Sequence, residues 1–224
     1  MKRFLSVDFD YFPACGSRQR GALFPRLDET DAAAQVLAVW QDAYARSSGQ
    51  LVSIGVIPAY YRFLGLFADF GGDAAVAESH AEIVSFILKN TKPDEVFEVR
   101  NVDFHHDRYC LRSPGSRYSC ANWAEELLLD RPGMRYDWTA REDSETALLG
   151  GGNVQPAADG IEEVLALRYD FIFLCRSGIW SPPHLDGHFA LLARALGCEF
   201  PPERAGFPLL RIAANDDRHT RRTT

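Results

Sequence analysis

Apolar residues along this chain fall into short runs that alternate with longer stretches at helical spacing. Phe4 to Phe9 reads as a strand that begins almost at the first residue and runs into acids. Thr30 to Ser47 sets Ala, Val, Leu and Trp40 at helical spacing behind the acidic start Asp28-Glu29-Thr30-Asp31. Leu51 to Ile57 is a short apolar strand stopped by Pro58, and Ala74 to Lys89 carries a helix pattern that closes on Lys89, Asn90 and then Pro93. Glu95 to Phe104 is β-rich, and Ala121 to Leu129 is a short helix before Pro132-Gly133. Arg141 to Ala158, with Gly150-Gly151-Gly152, reads as a long surface connection. Gly160 to Arg168 is helical, Tyr169 to Cys175 is an apolar strand, Gly187 to Leu196 is the last clear helix, and Leu209 to Ala213 reads as a final strand.

Strands alternating with helices predict βαβ units. The expected fold is α/β: one three-layer α/β/α domain over residues 1–214 with a mostly parallel sheet, followed by a polar, disordered tail over 215–224. Composition adds exclusions. Hydrophobic residues at 46% and charged residues at 25% rule out wholesale disorder, and a formal net charge of −7 lacks the basic footprint of a nucleic-acid binder. The cysteines are odd in number, spread out and without a CxxC pair, so neither a disulfide framework nor a zinc knuckle is expected. No apolar run is long enough for a bilayer, and the start is no signal peptide, so a cytoplasmic protein without a membrane partner is expected.

The chemistry lies where two apolar runs end in acids. In an open α/β sheet, functional residues collect at the carboxyl ends of the strands. Ser6-Val7-Asp8-Phe9-Asp10 ends the first run, and Asp103-Phe104-His105-His106-Asp107 ends another. Residues two apart on a strand share a face, so Asp8 with Asp10, and Asp103 with His105 and Asp107, are expected to converge. Side by side and buried, those carboxylates need a counter-charge. A carboxylate-rich set with one or two imidazoles suits manganese or a similarly hard ion, and this many acids suits a pair of ions flanking an activated water.

These two motifs resemble the SxDxD and DAHxD motifs of the ureohydrolases, arginase and agmatinase, with His80 in Glu78-Ser79-His80-Ala81-Glu82 standing for the histidine of a third motif. The resemblance implies an arginase/deacetylase-like fold and a site of two Mn2+. His80, Asp103, Asp107 and Asp8 would hold one ion, and His105, Asp103, Asp8 and Asp10 the other. The motif order is permuted, since the SxDxD-like motif opens this chain, and no GGD precedes His80. Those features look closer to an uncharacterised group of arginase relatives whose characterised members are peptide arginases. Asp10-Tyr11-Phe12 and Cys120-Ala121-Asn122-Trp123 look like that group too. The implied activity is hydrolysis of arginine residues in a ribosomally made precursor peptide to ornithine and urea, with Asp107 steering the attacking water and passing its proton on. Two alternatives stand beside it: a metal-dependent amide or amidine hydrolase of the deacetylase or agmatinase type, and a non-catalytic relative.

Further candidates fill in the site. His106 faces away from His105 by strand alternation and is expected to pack, or to orient Asp107 or substrate as a second catalytic candidate. Glu78 and Glu82 flank His80, and either could clamp a guanidinium by paired hydrogen bonds. Asn122 and Trp180 are candidates for the substrate side: Asn122 follows the second motif, and Trp180 lies in the Arg176 to His184 loop after an apolar strand.

Overall fold

A computed structural model describes residues 1–25, 33–109, 117–147, 153–158 and 160–199. The expected strand at 209–213, the tail at 215–224 and the Gly150-Gly151-Gly152 stretch lie outside the described residues.

Five strands form one sheet: β1 (Lys2–Asp8), β2 (Asp73–Ala77), β3 (Phe97–Val102), β4 (Met134–Thr139) and β5 (Phe171–Cys175). Their order is β2-β5-β1-β3-β4, and every neighbouring pair is parallel. β1 is central, pairing Val7 with Val102 of β3 on one side and with Leu174 of β5 on the other. The helices are α1 (Ser17–Leu23), α2 (Ala33–Val52), α3 (Ala59–Ala68), α4 (Ile83–Asn90), α5 (Trp123–Asp130), α6 (Ile161–Ala166) and α7 (Asp186–Ala195).

Alternation along the central strands divides the core in two. Leu5 and Val7 of β1, with Ile172 and Leu174 of β5, face one cluster into which α2, α3 and α7 send Trp40, Tyr44, Tyr60, Phe63, Phe67 and Phe189. Phe4, Phe173 and Cys175 face the other, which α4 and α5 fill with Ile83, Val84, Ile87, Trp123 and Leu127. Both faces of the sheet are therefore covered, the condition that an all-parallel sheet requires. This is the three-layer α/β/α arrangement the sequence predicts. Among the described residues no helix is long and apolar enough to cross a membrane.

Several expected elements change. Leu51 to Ile57 is not a strand: α2 runs on through Val52, and only a single antiparallel bridge joins Val56 to Pro13. The expected helix over Ala74 to Lys89 divides into β2, a 3-10 turn over His80–Glu82, and α4. Its small residues Ala74, Ala75 and Ala77 fit a helix locally, and pairing with Ile172, Phe173 and Cys175 of β5 makes them a strand instead. Helices α1 and α3 and edge strand β4 were not expected.

Phe4 is 1% exposed, stacks on Phe171 at 4.6 Å between centroids and meets Phe97 edge-on at 5.8 Å. Replacing it with alanine opens a cavity that the surrounding rings cannot fill. Phe4→Ala is expected to destabilise the fold by about 3–5 kcal/mol, read as a lower urea midpoint with an unchanged slope.

Candidate metal centre

The carboxyl ends of β1, β2 and β3 bring all six predicted ligands to one place. β1 stops at Asp8, and a 3-10 turn over Phe9–Tyr11 carries Asp10. β3 stops at Val102, so Asp103 to Asp107 follow as a turn rather than as a strand. The expected alternation therefore does not operate along either motif. Asp8 and Asp10 converge through the 3-10 turn, in which Asp8 Oδ1 accepts the Asp10 amide at 3.0 Å. Asp107 reaches the cluster by a left-handed backbone, φ 52°, a conformation that aspartate tolerates better than most residues. His80, expected on a helix, opens the 3-10 turn after β2, capped by Ser79 in a capping box with Glu82.

Two groups of ligand atoms result, Asp8-His80-Asp103 and Asp10-Asp103-His105, each with its atoms within 4.8 Å of one another and both using Asp103. His80 Nδ1 lies 3.3 Å from Asp8 Oδ2, 3.1 Å from Asp103 Oδ2 and 2.9 Å from Asp107 Oδ2. His105 Nδ1 lies 2.9 Å from Asp10 Oδ2 and 4.0 Å from Asp103 Oδ1.

Neighbouring side chains hold these groups in place. Ser6 Oγ bonds His80 Nε2 at 2.7 Å, and the His80 ring lies parallel to Phe173 at 6.0 Å. That bond leaves Nδ1 aimed at the carboxylates. Trp123 Nε1 donates to Asp107 Oδ2 at 2.6 Å, Asn101 Nδ2 to Asp103 Oδ2 at 3.2 Å, and Ser177 Oγ to Asp8 Oδ2. Ser177 is the second non-glycine residue with a left-handed backbone, φ 45°. The only two such residues among those described both belong to this cluster, which is where backbone strain tends to be retained.

Asp8, Asp10, Asp103 and Asp107 are all nearly inaccessible. At an effective dielectric near 20, each pair of ionised carboxylates about 5 Å apart repels by roughly 3 kcal/mol. Several such pairs would consume a large part of a domain's net stability of about 5–15 kcal/mol. Protons or cations must relieve them. Burial, with Asp10 and Asp103 close by, pushes Asp8 up to about 7. Burial and Asp107 hold Asp103 well above the usual carboxylate range, and burial raises Asp107. Asp10 goes the other way: burial opposes its charge, but His105 and Arg20 outweigh it. Burial likewise disfavours charge on His105, yet Asp10 lifts it to about 9, and Asp107, Asp103 and Asp8 raise His80.

Buried His80 Nδ1 faces three carboxylate oxygens within 3.3 Å. Either a proton on Nδ1 or a cation shared with those oxygens would satisfy that arrangement. Oxygen donors and two imidazoles, with no thiolate ligand among them, fit manganese or a similarly hard ion. Access is from the His105 side, where the imidazole is 24% exposed and Trp180 stands 5.1 Å away.

The remaining candidates have other partners. His106 is buried against Tyr109 and Trp138, its Nδ1 accepts the Arg108 amide at 3.0 Å, and its Nε2 meets the Ala147 carbonyl at 3.2 Å. Both ring nitrogens are thereby engaged by the backbone. Glu78 pairs with Arg176 at 2.6 Å, and Glu82 serves the capping box. Asn122 closes its own loop, accepting from the Ser119 amide at 2.7 Å and donating to the Arg117 carbonyl at 3.2 Å. Ser6, Asn101, Trp123, Ser177 and Arg20 were not expected in these roles. Ser6 and Ser177 lie within motifs already marked, whereas Arg20 sits in a polar run that reads as surface.

No family model matches this chain, and neither the curated proteins nor the solved structures contain a match.

The cluster makes a pH prediction for protein stripped of metal by a chelator. Asp8 and His105 both have folded-state values above their ordinary ones, 3.8 to about 7 and 6.5 to about 9. Their contributions are complete below the lower value and lost as pH rises through the higher one. Asp10, held low, titrates below this window. The stripped protein should therefore melt at progressively lower temperature from about pH 5 to about pH 9, and manganese should reverse that slope because ion and proton compete for the same atoms. Melting temperatures that rise with pH in stripped protein would contradict the assignment.

Proposed function

We propose that this chain is a manganese-dependent hydrolase that converts arginine residues of a ribosomally made precursor peptide to ornithine, releasing urea. The observation that carries the metal half of this reading is the convergence of His80 and His105 with buried carboxylates in two ligand groups that share Asp103. The choice of arginine rests on the resemblance of Ser6–Asp10 and Asp103–Asp107 to the ureohydrolase motifs. A ribosomally made substrate is met in the cytoplasm, where we place the reaction.

A pair of divalent ions held by these six residues would activate a water and stabilise negative charge developing on the substrate. The chain's own groups would do the rest. Asp107, which accepts a hydrogen bond from Trp123, would take the proton of the attacking water and return it to the leaving amine. Ser177 and Asn101 keep Asp8 and Asp103 in their ligating orientations. Trp180, beside the partly exposed His105, offers an apolar wall for the methylenes of a long side chain.

A second reading keeps the ions and changes the substrate to an amide or amidine. The amide is favoured by the engagement of Glu78 with Arg176 and of Glu82 in a cap, and by the buried guanidinium of Arg20 3.9 Å from Asp10 Oδ2. That fixed positive charge is unfavourable for a cationic substrate, an amidinium included.

Incubating manganese-loaded protein with arginine-containing and acetyl-lysine peptides separates the two. The first reading expects urea and the mass loss of an ornithine product; acetate release instead would establish the second. Asp103→Asn removes the carboxylate common to both ligand groups and should abolish turnover in either case.

A further inference from the structure

Arg20 stands beside the metal centre in a way that the reaction above does not use. Its neighbours on α1, Ser17, Arg18, Gln19, Gly21 and Ala22, are exposed, while Arg20 itself is 5% exposed. Its Cζ lies 3.9 Å from the centroid of the Phe104 ring. Its Nη2 donates to the Asp10 carbonyl, and its Nη1 stands 3.9 Å from Asp10 Oδ2, beyond hydrogen-bond reach. Neither Nε nor Nη1 has a hydrogen-bond partner.

A buried cation with donors unused is a poor stabiliser, and an apolar side chain of similar size would serve the core as well or better. Position accounts for it. The guanidinium grips Asp10 after β1 and covers Phe104 after β3, and the Phe104 amide itself donates to Asp10 Oδ1 at 3.3 Å. Arg20 and Phe104 thus fix the chain around Asp10, whose Oδ2 faces His105 Nδ1 at 2.9 Å. The other half of the centre is held by different means: Ser6 on His80, Ser177 on Asp8 and Trp123 on Asp107.

We propose that Arg20 is a positioning residue for the half of the metal centre built from Asp10, Asp103 and His105, and that the half built from Asp8, His80 and Asp103 does not depend on it. This inference rests on the metal reading above.

The test titrates manganese into chelator-stripped wild type, Arg20→Lys and Arg20→Met, counting ions by calorimetry and recording electron paramagnetic resonance spectra. Wild type is expected to bind two ions with the spectrum of a coupled pair. Both variants should keep the first ion at wild-type affinity, bind the second ~10-fold or more weakly, and show the spectrum of an isolated ion. Lysine keeps the charge without the planar fork, so its failure to rescue separates positioning from charge alone. Phe104→Leu, which removes the platform under the guanidinium, should weaken the same ion by a smaller factor, and it carries the test if the Arg20 variants do not fold. Two ions at wild-type affinity in the variants, or loss of both ions together, overturns the role given to Arg20 while leaving the metal reading intact. A wild type that binds no manganese overturns both.

Discussion

Everything around this site follows from one electrostatic constraint: four carboxylates with almost no access to water share a space a few ångströms across. Such a cluster is unfavourable in a bare fold, because mutual repulsion adds to the cost of dehydration. The chain meets that constraint with two imidazoles, the Arg20 guanidinium at the edge and neutral donors from Asn101, Trp123 and Ser177. The neutral donors satisfy oxygens without neutralising them. Protons or a bound cation must offset the rest.

The sheet supplies the geometry. A parallel arrangement gathers every strand's carboxyl end on one edge, and the order β2-β5-β1-β3-β4 puts the two aspartate-bearing strands, β1 and β3, side by side at its centre. β5 on the other flank brings Ser177 to Asp8, and the turn after β2 folds His80 back over the pair. Packing reinforces the chemistry: Phe173 and Trp123 are at once core residues of the α4–α5 face and the walls that fix His80 and Asp107. A substitution in that core would be felt at the site.

Much of this was legible in the sequence for definite reasons. Asp8, Asp10, Asp103, His105 and Asp107 were marked by their position where apolar runs end, and that position survives even though all but Asp8, the last residue of β1, occupy turns rather than strands. The residues expected to converge by period-two alternation do converge, but through turns. Where partners decide the structure, local pattern failed. Ala74 to Ala77 is a strand because β5 lies beside it, and β4 was hidden because Arg135, Tyr136 and Asp137 interrupt its apolar signal. Arg20 left no trace, since one buried arginine among exposed residues looks like any polar helix until the fold turns it inward. Glu78 and Glu82 show the converse: proximity in sequence to His80 suggested substrate contacts, and the fold gives them to Arg176 and to a cap.

The central claim is that the cluster is a two-ion site, and anomalous diffraction from crystals soaked in manganese tests it most directly. The account predicts two peaks about 3.5–4 Å apart, one bounded by Asp8, His80 and Asp103 and the other by Asp10, Asp103 and His105. Density that shows no ion, with His80 Nδ1 instead hydrogen-bonded to one of the carboxylates, would contradict it.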